Sequence, residues 1–273
     1  MGTAGRMLLI SAVLAIVGCG ARCHRDGADA ALPHGLGDAR YVDLSYSFGT
    51  ETVYWPTDRR GFELEIVSRG ASEGGYWYEA NRMCTAEHGG THMDAPVHFA
   101  EGQPTTDLVP VAAGIGPLAL VDVRGEAARD PDYRLSVSDI QSWEKTYGRI
   151  PRGAIVVMYS GWGERWPDAA RYLGTDVPGD TQNLHFPGFG EDAVRFLLEQ
   201  RDIKAIGVDT ASIDHGPSRD FIVHRVLHGA GKPAFENLAN LDKVPPAGAA
   251  IIALPMKIEG GSGGPLRAIA ILP

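Results

Sequence analysis

Eleven residues constrain this chain more than any other stretch: His88-Gly-Gly-Thr-His92-Met-Asp94-Ala-Pro-Val-His98. They gather three of its nine histidines and an aspartate. His88 and His92 stand four apart, a spacing that would put both on one face of a helix. Gly89, Gly90 and Pro96 argue against that helix, because glycine costs backbone entropy and proline removes a donor. No alternation marks a strand. The pattern predicts a loop, neither helix nor strand, that turns its side chains inward. Imidazole nitrogen and carboxylate oxygen are the donors a borderline divalent ion such as zinc prefers. A surface loop with scattered histidines is the plain alternative, but four ligand-type side chains this close are hard to assign to packing.

The flanking sequence reads as strands first and strand–helix alternation later. Tyr41–Phe48, Phe62–Val67 and Tyr76–Cys84 read as strands, the second with one wet face because its alternation is strict. Leu118–Val123, Ala154–Tyr159 and Ile203–Val208 are short apolar runs that read as buried strands. Ser138-Asp-Ile-Gln141 has capping-box spacing and predicts a helix to about Tyr147. Glu191–Gln200 carries a helical stripe at Ala193, Val194, Leu197 and Leu198. Phe221–Leu227 reads as a short helix. Ala249–Ile258 and Pro265–Leu272 read as a closing hairpin through Glu259-Gly-Gly-Ser-Gly-Gly264. The fold class is α/β: one domain over 39–273, a mixed sheet with flanking helices. No glycine-rich phosphate loop occurs.

The formal net charge of -9 is spread along the chain, which excludes nucleic acid as a partner, since that needs a basic face. At the N-terminus, Arg6 precedes an apolar run over Met7–Val17, too short to span a bilayer and suited to a secretory signal. The run ends at Gly18-Cys19, which resembles a bacterial lipoprotein signal. The expectation is a signal over 1–19, lipid on Cys19 as the only membrane attachment, a tether over 20–38, and an exported protein of the cell envelope or periplasm. Cys84 is then alone in the folded part, which implies no disulfide framework and reads as a small buried apolar residue.

At His88–His98 the sequence resembles the cyclase-like metal-dependent hydrolases, the family that includes bacterial kynurenine formamidase and isatin hydrolase. The family hallmark H-x-G-T-H-x-D-x-P-x-H is matched at every fixed position. Val53-Tyr-Trp55-Pro56, His185-Phe-Pro-Gly188, Ile206–Asp214, Phe235–Asp242, Leu254-Pro-Met-Lys257 and Gly263–Ala268 follow in the family's order, so the resemblance covers about 40–273. It implies a fold of the swivelling β/β/α type, commonly a homodimer. It implies that His88, His92 and Asp94 hold a metal, that His224 and Glu236 complete a second position, and that one or two ions, zinc or manganese, are bound. It gives His98 the role of general base and acid, and Trp55 that of a wall of the substrate pocket. Relatives that hydrolyse isatin place Gln where Glu236 stands, which tilts the site toward two ions and away from isatin.

The activity this implies is hydrolysis of a C–N bond in a small aromatic amide, with N-formylkynurenine, a tryptophan catabolite, as the type substrate giving kynurenine and formate. A divalent ion lowers the pKa of its bound water toward about 7 and polarises the carbonyl. Two alternatives stay open. One is hydrolysis of a cyclic amide or lactone such as isatin, by the same chemistry. The other is a lipid-anchored binding protein that captures a metal or small molecule without turnover and has no need of His98 as a free base.

Overall fold

The apolar runs that the sequence marks as short buried strands all enter one sheet. A computed structural model describes residues 1–2 and 37–273. The expected signal and nearly all of the expected tether, with Cys19 and Cys23, lie outside the described residues. Ala39–Pro273 forms one compact unit. Its strands are β1 (Arg40–Asp43), β2 (Glu63–Ala71), β3 (Trp77–Cys84), β4 (His92–Asp94), β5 (Ile115–Asp122), β6 (Arg134–Leu135), β7 (Ile155–Tyr159), β8 (Gly188–Phe189), β9 (Ala205–Val208), β10 (Ala234–Glu236), β11 (Ala250–Pro255) and β12 (Gly263–Leu272). Its α-helices are α1 (Arg124–Ala127), α2 (Val137–Tyr147), α3 (Ala169–Leu173), α4 (Glu191–Arg201) and α5 (Ile222–Gly229).

The main sheet closes on itself. Its order is β12, β11, β5, β7, β9, β10, β4 and then β12 again, with β1 appended to β12. The ring is parallel from β5 through β10 and antiparallel elsewhere. Helices make the crossovers that parallel strands require. The result is a mixed α/β domain built on a barrel-like sheet of seven strands. The expected closing hairpin is present as β11–β12, in register from Ala250↔Ile271 to Pro255↔Leu266.

Strand alternation divides the core into two halves. Leu118, Leu120, Ile155 and Val157 point into the ring with Met93, Phe235, Ile251 and Ala268, and fill it as a small barrel must be filled. Ala119, Val121, Val156 and Met158 point outward, under Ile140 and Trp143 of α2, Val194 and Leu197 of α4, and Val223 and Leu227 of α5.

Four local expectations are corrected. The capping box of α2 lies two residues earlier, at Ser136, whose Oγ accepts the Asp139 N–H while the Asp139 carboxylate accepts the Ser136 N–H. Ser136 has the extended backbone an N-cap needs, whereas Ser138 is already inside the helix. Among the described residues the strands β2 and β3 form a sheet only with each other, and both faces of the pair are wet: Leu64, Ile66 and Trp77 are 54–65% exposed. Cys84, at the end of this arm, is exposed for the same reason. Finally, the segment expected to be neither helix nor strand contains β4, because β10 and β12 offer edges on both sides of His92–Asp94.

Candidate metal centre

The polar cluster is built from the edges of the closed ring. β4 carries His92 and Asp94, β10 ends in Glu236, and α5 carries His224, all buried. Gly90 turns the chain into β4 at φ +56°, a left-handed conformation that favours glycine. Pro96 opens a turn of 3-10 helix that ends in His98. Glu236 faces His92 because the antiparallel register of β10 and β4 sets them opposite each other.

Three histidines are oriented by hydrogen-bond partners, two of which, a carbonyl and a carboxylate, can only accept. The Nδ1 of His92 lies 2.9 Å from the carbonyl of Gly90. The Nδ1 of His224 lies 2.7 Å from Asp214 Oδ2. The Nε2 of His88 lies 2.9 Å from Ser262 Oγ, whose hydroxyl donates to Glu87. A carbonyl or carboxylate accepts a proton, so each ring carries an N–H on that side and turns its other nitrogen inward, to bind a cation or, without one, a proton. The three inward nitrogens converge. His88 Nδ1 is 2.6 Å from Asp94 Oδ1, and His92 Nε2 is 3.1 Å from Asp94 Oδ1 and 3.5 Å from Glu236 Oε2. His224 Nε2 is 3.2 Å from both Asp94 Oδ2 and Glu236 Oε1.

Lone pairs facing carboxylate oxygens repel unless a cation or protons lie between them. The field there favours positive charge. Burial opposes a charge on His92, yet Asp94 and Glu236 raise its pKa to about 9. His224 is likewise raised well above the ordinary value against its burial, by hydrogen bonds to Asp214, Asp94 and Glu236. Burial raises Asp94, but His88 and His92 hold it well below the usual carboxylate range. Burial and the neighbouring Asp94 push Glu236 up.

The donor set fits a divalent ion. His92 Nε2 is buried and has no hydrogen-bond partner among the described residues. Ligand atoms around a four-coordinate zinc are separated by roughly 3.4 Å, near the 3.1–3.5 Å found for His92 and His224. His92, Asp94 and Glu236 form one possible ligand group, and His88, Asp94 and His98 another. Asp94 thus faces both, one oxygen toward His88 and His92, the other toward His224.

His98 stands apart from the hydrogen-bonded set. Its ring stacks on His88, centroids 3.8 Å apart and planes 18° apart. Burial lowers its pKa to about 4, with Asp94 opposing and the neighbouring imidazoles adding to the shift. It is therefore a neutral imidazole at ordinary pH. Trp55 is half-buried, meets Phe186 edge-on and lies tilted by 57° against Phe221. A cavity of about 460 Å³ opens over the cluster, lined by His88, His92, His98 and Glu236 together with Trp55, Phe99 and Phe221.

All seven residues singled out in the sequence line this one cavity. Sequence reading missed their supports. Asp214 accepts the Val223 and His224 N–H groups at the start of α5 as well as the His224 ring. Asn237 donates to the same Gly90 carbonyl that orients His92. His228, one turn beyond His224, is fully buried with neither ring nitrogen partnered among the described residues, and burial pushes its pKa down to about 3. The acid in Ile206–Asp214 was visible, but only its place in space gives it a partner.

A family profile described as "Putative cyclase" matches residues 42–215. The isatin hydrolase of Roseibium aggregatum is 37% identical over 219 residues, which span 77% of this chain and 81% of that protein. The kynurenine formamidase of Salinibacter ruber is 29% identical over 84% of this chain and 95% of that protein. Among solved structures, isatin hydrolase A from Labrenzia aggregata, bound to benzyl benzoate, superposes with a TM-score of 0.76 at 34% identity, covering 86% of this chain and 94% of that one. The chain belongs to the cyclase family, and these relatives are hydrolases.

Proposed function

We propose that the protein is a metal-dependent hydrolase of aromatic amides, and that it opens a cyclic amide of the isatin kind. The observation that carries this reading is the convergence of three imidazole nitrogens on two carboxylates beneath an aromatic-lined cavity. His88, His92, Asp94, His224 and Glu236 would hold one or two ions, zinc or manganese. When bound, a divalent ion there supplies a Lewis acid for the carbonyl and an acidified water.

The chain's own residues do the rest. Trp55, Phe99 and Phe221 receive a flat aromatic ring and exclude water from it. His98 is neutral and lines the cavity beside the cluster, so it can take a proton from the attacking water and return it to the leaving nitrogen. His88, stacked beneath it, keeps that ring in one plane. Identity to isatin hydrolases in both comparisons supports a cyclic aromatic substrate, and the benzyl benzoate in one of them is itself aromatic.

A second reading, hydrolysis of an N-formyl arylamine, is favoured by Glu236. Isatin-hydrolysing relatives are expected to have Gln there, and the acid adds a charge that suits a second ion. The experiment is turnover of isatin and of N-formylkynurenine by purified protein, with metal content counted per chain. Turnover of isatin that a chelator abolishes and added zinc or manganese restores supports the first reading. Turnover of only the formamide selects the second. Bound metal without either turnover would favour a binding role.

A further inference from the structure

The loop Glu259–Gly264, which the sequence marks only as a turn, is laced to the metal segment. The Ser262 carbonyl accepts the Ala95 N–H at 2.9 Å. Thr106 Oγ donates to the carbonyls of Gly261 and Gly263, 3.0 Å each. The Ser262 N–H and hydroxyl both donate to Glu87 Oε2, at 3.0 and 2.6 Å. Gly263 passes so close to His88 that a Cβ there would lie 2.6 Å from its Cε1 and 2.7 Å from the Met93 carbonyl.

His88 is the exception among the three imidazoles. His92 and His224 are buried at 3–4% side-chain exposure and bond directly to a carbonyl or carboxylate, whereas His88 is 25% exposed. Its Nε2 meets a hydroxyl, which could donate or accept. Glu87 removes that freedom. An ionised carboxylate only accepts, so the Ser262 proton is committed to it, and the Ser262 oxygen must accept from His88.

We propose that Glu87 and Ser262 are positioning residues that fix the His88 proton on Nε2 and aim its Nδ1 lone pair at the metal. The β11–β12 loop thereby becomes the outer support of the one ligand not locked by burial. The inference rests on the metal-centre reading above. It adds two residues and a direction of hydrogen bonding that the ligand set does not contain.

The test is zinc affinity, measured by competition with a chromophoric chelator on the full folded protein. Ser262→Ala and Glu87→Ala are each expected to weaken zinc binding about 10- to 100-fold. The double variant is expected to lose no more than the larger single loss, because both act through one chain. The unfolding midpoint of the metal-free protein should stay unchanged. Losses under about twofold, or losses that multiply in the double variant, would overturn the proposal. Should Ser262→Ala fail to fold, Glu87→Gln carries the test. It keeps an oxygen for the Ser262 hydroxyl and should lose less affinity than Glu87→Ala; an equal loss overturns the positioning role. Wild-type protein that binds no zinc or manganese would overturn the metal centre itself, which is a different result.

Discussion

The segment His88–His98 and the arm β2–β3 invert what their sequences suggest. Phe62–Val67 alternates as strictly as any strand in the chain, yet both faces of the arm are wet. The histidine segment shows no period at all, yet its strand His92–Asp94 is buried at every position. Periodicity reports which way successive side chains point, and burial depends on whether another element covers that face. Among the described residues β2 and β3 pair only with each other, while β4 is held between β10 and β12.

The contrast can be broken most severely at His92. His92→Ala should remove bound metal and abolish turnover, as measured by elemental analysis and a chelator-reversible assay. Metal content equal to wild type would remove His92 from the ligand set. His98→Ala should leave metal in place and lower kcat by about 10²- to 10⁴-fold, the usual contribution of a general acid–base group. Loss of metal together with rate would make His98 a ligand instead.

Packing supplies the next test. Met93 lies inside the ring at 1% exposure, and Met93→Ala should cost about 2–5 kcal/mol in denaturant unfolding. The pH profile sharpens the role of His98. Burial lowers its pKa, so the base is neutral above about 4, and turnover should fall only as pH drops through that value rather than at the ordinary 6.5. Metal content followed over the same range separates loss of the base from loss of ligands. An acid limb near 6.5 with metal retained would point to another base. Smallest of all, Ile66→Ser on the arm should change stability by no more than about 0.5 kcal/mol, since the side chain is 54% exposed. A larger loss would show that something covers the arm.

How much was legible follows the same division. The buried strands, α4, α5 and the closing hairpin could be read because their apolar pattern is local. The closure of the sheet could not, since it depends on Gly263–Pro265 pairing with His92–Asp94 across the chain. Ligand-type side chains could be read from their chemistry and from the family resemblance. Asp214, Ser262 and Glu87 could not, because an acid or a serine in a loop carries no sign of which ring it will meet. The shift of the α2 cap from Ser138 to Ser136 is smaller but similar: both spacings satisfy the pattern, and the backbone chooses.

Among the described residues, β4 pairs as a strand with β10 and β12 alone. The histidine segment is thus made early in synthesis but has no strand to pair with until Ala234–Glu236 and Gly263–Pro265 have been made. His224 and Glu236 arrive late as well. On the proposed reading, a partly synthesised chain would hold only His88, His92 and Asp94 of the five donors, on a loop with no partner strand, and the centre would be completed only when the closing hairpin pairs with it.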